Sequence, residues 1–100
     1  MPAPTVEEIV RREFADAPVM IEIARCESRF RQFDEEGRAL RGEVNPQDVG
    51  VFQINERYHL EASRRLGMDI FTTRGNVAYA RHLYNQNGTR DWGWSKGCWL

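Results

Sequence analysis

The chain has 100 residues, 41% of them hydrophobic and 11% aromatic, with 14 basic against 15 acidic side chains and a net charge of −1. That length predicts one domain over residues 1–100, and the aromatic content at low net charge excludes a disordered chain. No run approaches the roughly 20 apolar residues of a membrane helix, no basic footprint of the kind nucleic acid needs stands out, and the opening MPAPTVEEIV lacks the basic start and apolar stretch of a signal peptide.

The first helix is predicted to start at Thr5, because Thr5-Val6-Glu7-Glu8 fits a capping box. It continues through Ile9, Val10 and Phe14. Asp16-Ala17-Pro18 breaks it, and Pro18 suits the first turn of a second helix whose apolar stripe is Met20, Ile23 and Ala24. From Phe30 to Asn55 the helical period is lost. Phe33-Asp34-Glu35-Glu36-Gly37-Arg38 reads as a hairpin turn between short strands, and Gly42, Asn45-Pro46 and Gly50 add turn signals. A third helix is expected from Glu56 to Leu66, capped by Asn55 and stopped by Gly67. A fourth is expected from Thr73 to Asn87, with Val77, Ala80 and Leu83-Tyr84 inward and Gly88 as its stop. The tail DWGWSKGCWL reads as aromatic and irregular. The predicted class is α+β, mostly helical with one small hairpin region.

Cys26 and Cys98 are the two cysteines. As free buried thiols they suit a reducing compartment. As a pair they would close a loop of roughly 70 residues, worth about 4 kcal/mol in the chain-entropy treatment. Spacing alone leaves both readings open. Cys26, Cys98, His59 and His82 match no compact zinc-ligand spacing, so no metal is expected.

Two carboxylates carry the chemical signal. Glu27 follows Ile23 by four residues and Met20 by seven, so on a helix it extends the apolar stripe. It also falls at the helix C-terminus, where the dipole disfavours negative charge. Burial and dipole together raise a carboxyl pKa and make a general acid. The alternative is a surface residue at a frayed helix end. Asp48 lies in the turn-rich stretch Asn45-Pro46-Gln47-Asp48-Val49-Gly50, whose polar surroundings should keep it ionised. Two carboxyls in contrasting settings are what glycoside cleavage uses. The alternative is a turn aspartate bonding nearby amides.

Glu27-Ser28-Arg29-Phe30, followed by Asp48-Val49-Gly50-Val51-Phe52-Gln53-Ile54-Asn55-Glu56-Arg57-Tyr58, resembles the lysozyme superfamily. Animal C-type lysozymes carry Glu-Ser-x-Phe and then Asp-Tyr-Gly-x-x-Gln-Ile-Asn-Ser-Arg-Tyr. Soluble lytic transglycosylases carry Glu-Ser-x-Phe and then Gly-Leu-Met-Gln-Ile. Asn76-Val77 and Ala80 resemble the Asn-Ile-x-x-Gly/Ala helix of the transglycosylases. Cys26-Glu27 with Trp92-Gly93-Trp94 and Cys98 is similar to the resuscitation-promoting factors.

The resemblance implies a lysozyme-like fold that cleaves peptidoglycan at the β-1,4 bond between N-acetylmuramic acid and N-acetylglucosamine, with no cofactor. Glu27 would be the general acid. Asp48 would stabilise or attack the oxocarbenium ion in a hydrolase, whereas a transglycosylase has no such carboxylate and the substrate's own groups close the reaction. The 21-residue spacing from Glu27 to Asp48 is a few residues longer than in C-type enzymes. Ser28, Gln53, Asn55, Tyr58, Tyr79 and Trp94 are the implied substrate-binding residues; Ser28 reads equally as a helix-end cap holding backbone polar groups, Gln53 as satisfying buried backbone, and the tyrosines and tryptophans as core packing. A Cys26–Cys98 disulfide, a monomer, glycan strands as partner and a secreted, periplasmic or wall-associated location follow from the same resemblance. Arg29, Arg31, Arg38 and Arg41 flank the hairpin and read as a solvated face or as attraction for the acidic polymer. Two other classes remain: a module of the same fold that binds glycan without cutting it, and a structural part of a phage tail or secretion assembly.

Overall fold

The computed structural model describes residues 2–100. Helix α1 is Val6–Glu13, and its capping box forms as expected: Thr5 Oγ1 accepts from the Glu8 amide and Glu8 Oε1 accepts from the Thr5 amide. Helix α2 is Pro18–Ser28, with proline in its first turn and Met20, Ile23 and Ala24 buried. Both follow from local rules: the box satisfies orphan amides, and proline spares one that has no partner anyway.

Helix α2 ends abruptly. Arg29 (φ 55°) and Phe30 (φ 60°) are both left-handed, a conformation costly for side chains with a Cβ. Ser28 Oγ holds the reversal by accepting from the Arg31 amide at 3.1 Å while donating to the Ala24 carbonyl at 3.2 Å. The half-buried Phe30 packs on the core.

The expected hairpin over residues 33–38 is reduced to a single bridge, Phe33 to Ala39. Its turn is real: Asp34 Oδ1 accepts from the amides of Glu36 and Arg38, and Gly37 takes φ 80°. Phe33, Glu35, Glu36 and Arg38 are all exposed, however, so no apolar face rewards extending the strands. The antiparallel ladder forms further on, between β1 (Asp48–Val49) and β2 (Ile54–Asn55), in the register Asp48↔Asn55 and Val49↔Ile54. Val49 and Ile54 are buried, which is why pairing settles there.

Helix α3 is Glu56–Arg65, with the Asn55 side chain accepting from the Tyr58 amide. Helix α4 is Thr73–Asn87, capped by Thr72 and ended at Gly88. The tail is more regular than its composition predicts. A 3-10 helix covers Arg90–Ser95, and helix α5 covers Lys96–Trp99. Lacking an apolar period, this segment is ordered by anchors instead. Trp92 is buried, its indole N–H donates to the Phe52 carbonyl at 2.9 Å, and Cys98 is disulfide-bonded to Cys26 on α2.

The class is α+β. The core is centred on Phe52, whose ring meets Phe14 and Trp92 edge-on at 5.4 and 5.8 Å. Phe52 therefore links α1, the β-hairpin and the C-terminal segment. Arg81 of α4 ties back to α1 and the following turn, reaching Glu13 and Asp16 from above the Phe14 ring. No helix among the described residues is long and apolar enough to cross a membrane.

The Cys26–Cys98 bond closes a loop of 72 residues. In the chain-entropy treatment it contributes about 4 kcal/mol. Replacing both cysteines by serine is expected to lower Tm by at least about 10 °C in a thermal melt.

Candidate functional site

The end of α2, the β-hairpin, the start of α3 and the C-terminal segment surround a groove. Its larger arm, a cavity of about 560 Å³, is lined by Glu27, Asp48, Asn55, Tyr58, His59 and Trp92 among others. A smaller arm of about 230 Å³ is lined by Glu27, Asp48, Arg31, Arg41, Glu43 and Gln53. Glu27, Asp48, Gln53, Val44, Asn45 and Trp94 belong to both, so the two carboxylates stand where the arms meet.

Glu27 lines the groove from the last turn of α2, two residues before the left-handed reversal at Arg29 and Phe30. Its side chain is half-buried, and Ser95 Oγ donates to its Oε2. Burial raises the Glu27 carboxyl above the ordinary glutamate range, the nearby Asp48 charge adds to the rise, and the Ser95 hydrogen bond opposes it. Asp48 is held by the β1–β2 register, and its Oδ1 accepts from Asn55 Nδ2 at 3.2 Å. The sequence reading placed Asp48 in polar surroundings that keep it ionised. The structure half-buries it instead, and burial raises its carboxyl while the Asn55 hydrogen bond opposes this. The two acids are thus desolvated in the same direction, and they differ in partner: a hydroxyl for Glu27, a side-chain amide for Asp48.

Two buried amides hold this geometry. Gln32 Oε1 accepts from the Val51 amide and its Nε2 donates to the Ile70 carbonyl, both at 3.0 Å. Asn76 Oδ1 accepts from the Phe52 amide at 2.9 Å, and its Nδ2 donates to the carbonyls of Val49 and Ile70 at 2.8 and 2.9 Å. Both residues are essentially inaccessible to solvent. Gly50 makes room for the pair. It takes φ 72°, and a Cβ there would stand 2.3 Å from Gln32 Oε1 and 2.6 Å from Asn76 Nδ2.

Most of the anticipated site residues converge on the groove. Gln53, Asn55, Tyr58 and Trp94 line it beside the two carboxylates. Tyr58 and Trp94 are 75% and 87% exposed, large aromatic faces left in water at its edge. Ser28 and Tyr79 do not reach it. Ser28 is 2% exposed and spends its hydroxyl on the backbone of the α2 reversal. Tyr79, also 2% exposed, sits on the buried face of α4 with its hydroxyl 2.9 Å from His59 Nδ1. A helical tyrosine with apolar neighbours at Ala80 and Leu83 is packed by its helix face, which the short motifs do not report.

The sequence reading also missed lining residues. His59 and Asp91 enter the larger arm, with Leu83 and Trp92 as apolar lining. Burial lowers the His59 pKa while Asp91 opposes that. Ser95 was missed as well. One signal for it existed: Cys98 lies three residues beyond Ser95 and Cys26 adjoins Glu27, so the disulfide brings Ser95 close to the acid.

No protein-family model matches the chain, and no curated protein or solved structure is significantly similar to it.

Asn76→Ala removes the side-chain partner of the Phe52 amide and of the Val49 carbonyl, while the Ile70 carbonyl keeps Gln32 Nε2. Leaving such groups unsatisfied costs about 1–3 kcal/mol each. The variant is expected to lose about 3 kcal/mol or more in urea unfolding.

Proposed function

We propose that this chain is a lysozyme-like muramidase that cuts peptidoglycan glycan strands between N-acetylmuramic acid and N-acetylglucosamine. The observation that carries the reading is a desolvated glutamic acid facing a second carboxylate where two arms of an open groove meet. A polymer needs a trench open on both sides of the scissile bond, and general acid catalysis needs a carboxyl that keeps its proton near neutral pH. The order of motifs from Cys26-Glu27 to Cys98 supplies the substrate class by resemblance.

In this mechanism Glu27 Oε1, which has no protein hydrogen-bond partner among the described residues, gives its proton to the bridging oxygen. The C1–O bond breaks and its electron pair leaves with that oxygen. Asp48, as carboxylate, stabilises the resulting oxocarbenium ion. Water then adds at C1, or the substrate's own 6-hydroxyl closes a 1,6-anhydro ring, and either returns a proton to Glu27. Gln53 and Asn55 offer amide groups to the sugars, and Tyr58 and Trp94 offer stacking faces. The disulfide suits an oxidising compartment, so the activity belongs outside the cytoplasm.

Glu27→Gln should reduce clearing of purified cell walls by at least about 100-fold, the contribution expected of a general acid. Residual activity near that of the wild type would refute the general-acid role, whereas wild-type protein that binds cell walls without clearing them would leave the glycan-binding module as the better reading. The same variant carries a stability signature. A carboxyl whose pKa is raised on folding binds its proton more tightly in the native state. Native stability therefore falls as pH climbs from the ordinary glutamate range through the raised value. Glu27→Gln removes that fall, so its Tm should match the wild type in acid and exceed it at pH 7.

Asp48→Asn separates the two closing steps. It should cripple a hydrolase and barely affect a transglycosylase. Product mass gives the parallel answer, since an anhydro-muramic end is one water lighter than a reducing end.

A further inference from the structure

We propose that Ser95 is a positioning residue for Glu27, fixing which carboxyl oxygen carries the proton and how readily it is released. The claim rests on how one hydroxyl is connected. Ser95 Oγ accepts a hydrogen bond from the Trp99 indole N–H at 3.0 Å. Its single proton then has two acceptors within reach, Glu27 Oε2 and the Trp92 carbonyl at 3.2 Å. The Trp99 N–H also reaches the Trp92 carbonyl at 3.3 Å, so that carbonyl already has a donor, and the shorter contact to Glu27 Oε2 takes the hydroxyl proton.

Two consequences follow. A donor on Oε2 leaves Oε1 as the oxygen that bears the proton when Glu27 is neutral, and Oε1 has no other protein partner among the described residues. A donor on the carboxylate also stabilises the charged form, which checks the rise that burial imposes. The acid is thereby kept from becoming too weak to give its proton away. The neighbouring charges do not supply this brake. Asp48 pushes the Glu27 carboxyl upward, Asp91 and His59 lie along the larger arm, and Arg31, Arg41 and Glu43 lie along the smaller one. Arg41 is already engaged by Glu56 at 2.5 Å, and Arg31 Nε donates to the Ser28 carbonyl at 2.9 Å.

The fold spends much of its C-terminal structure on placing this hydroxyl. Ser95 closes the 3-10 helix anchored by Trp92, while Trp99 and Cys98 follow on α5. The disulfide to Cys26 fixes that segment to the residue adjacent to Glu27.

The catalytic part of this inference rests on the muramidase reading; the positioning part does not, and the experiment separates them. The Glu27 side-chain carboxyl is titrated by ¹³C NMR in the wild type and in Ser95→Ala, Ser95→Thr and Trp99→Phe. Ser95→Ala should move the midpoint upward by about one pH unit, the size of one lost hydrogen bond to a charged group. Ser95→Thr, which keeps the hydroxyl, should restore the wild-type midpoint. Trp99→Phe, which keeps an aromatic side chain and removes the indole N–H, should give a smaller shift in the same direction. An unmoved midpoint in folded Ser95→Ala, or equal shifts in the alanine and threonine variants, overturns the inference. If Ser95→Ala does not fold, an unmoved midpoint in Trp99→Phe overturns it instead. Cell-wall clearing is followed in parallel, and the alkaline limb of its kcat/KM profile should track the titration. The expected midpoint shifts in a protein that cuts no glycan would uphold Ser95 and refute the muramidase reading.

Discussion

Five hydrogen bonds from two buried side-chain amides decide where everything else in this protein sits. Gln32 and Asn76 bond the backbone of Val49, Val51, Phe52 and Ile70 together, both donating to the Ile70 carbonyl, with no buried side-chain polar atom left over among the described residues. The segment they hold turns tightly between two very short strands and could not satisfy its own amides by regular pairing. In a dry interior an unmade bond costs more than a made one gains. The network is therefore demanding of position: with Gly50 pressed against it, the loop has one way to lie. Asp48 and Gln53, at the two ends of that loop, inherit their placement.

The C-terminal segment closes the groove on the other side. It lacks the periodic apolar face of an autonomous helix and is only about ten residues long, too short for stable helix in isolation. Three attachments replace propensity: the Trp92 side chain in the core, its N–H on the Phe52 carbonyl, and the bond from Cys98 to Cys26. Phe52 is thus gripped from both sides. Its amide belongs to Asn76 on α4, and its carbonyl belongs to Trp92. The α4 helix, the hairpin and the tail meet at one residue, close to the two acids.

Around this scaffold the groove works against stability. Two carboxyls are partly desolvated, and the Asp48 charge adds to the cost of ionising Glu27. Arg29, Phe30 and Gln53, all bordering the site in sequence or space, take left-handed backbone conformations that cost of order 1–3 kcal/mol each. Tyr58 and Trp94 leave large rings in water. Strain, desolvation and exposed aromatic surface thus gather around the groove, whereas outside its lining Arg81 pairs with Glu13 and Asp16.

Local chemistry made the helices legible. The Thr5 box, Pro18, the Asn55 cap and the stops at Gly67 and Gly88 act through neighbouring atoms, so residue order alone specifies them. The apolar stripe of α2 and the candidacy of Glu27 follow from helical period in the same way. The turn at residues 33–38 forms but its strands shrink to one bridge, and the tail is ordered, because turn signals do not say whether an apolar face exists to reward strands, nor whether distant anchors will order a segment. Ser28 takes the helix-end capping role and Tyr79 the core packing that their positions equally allow, because a motif names residue types without their direction. Only the tertiary structure decided that Ser95 meets Glu27 across 68 residues, that Asp48 is desolvated along with Glu27, and that Gln32 holds the loop between them. Those are contacts between segments far apart in the chain, and their partners are chosen by packing and by the need to satisfy buried polar groups, which no local pattern encodes.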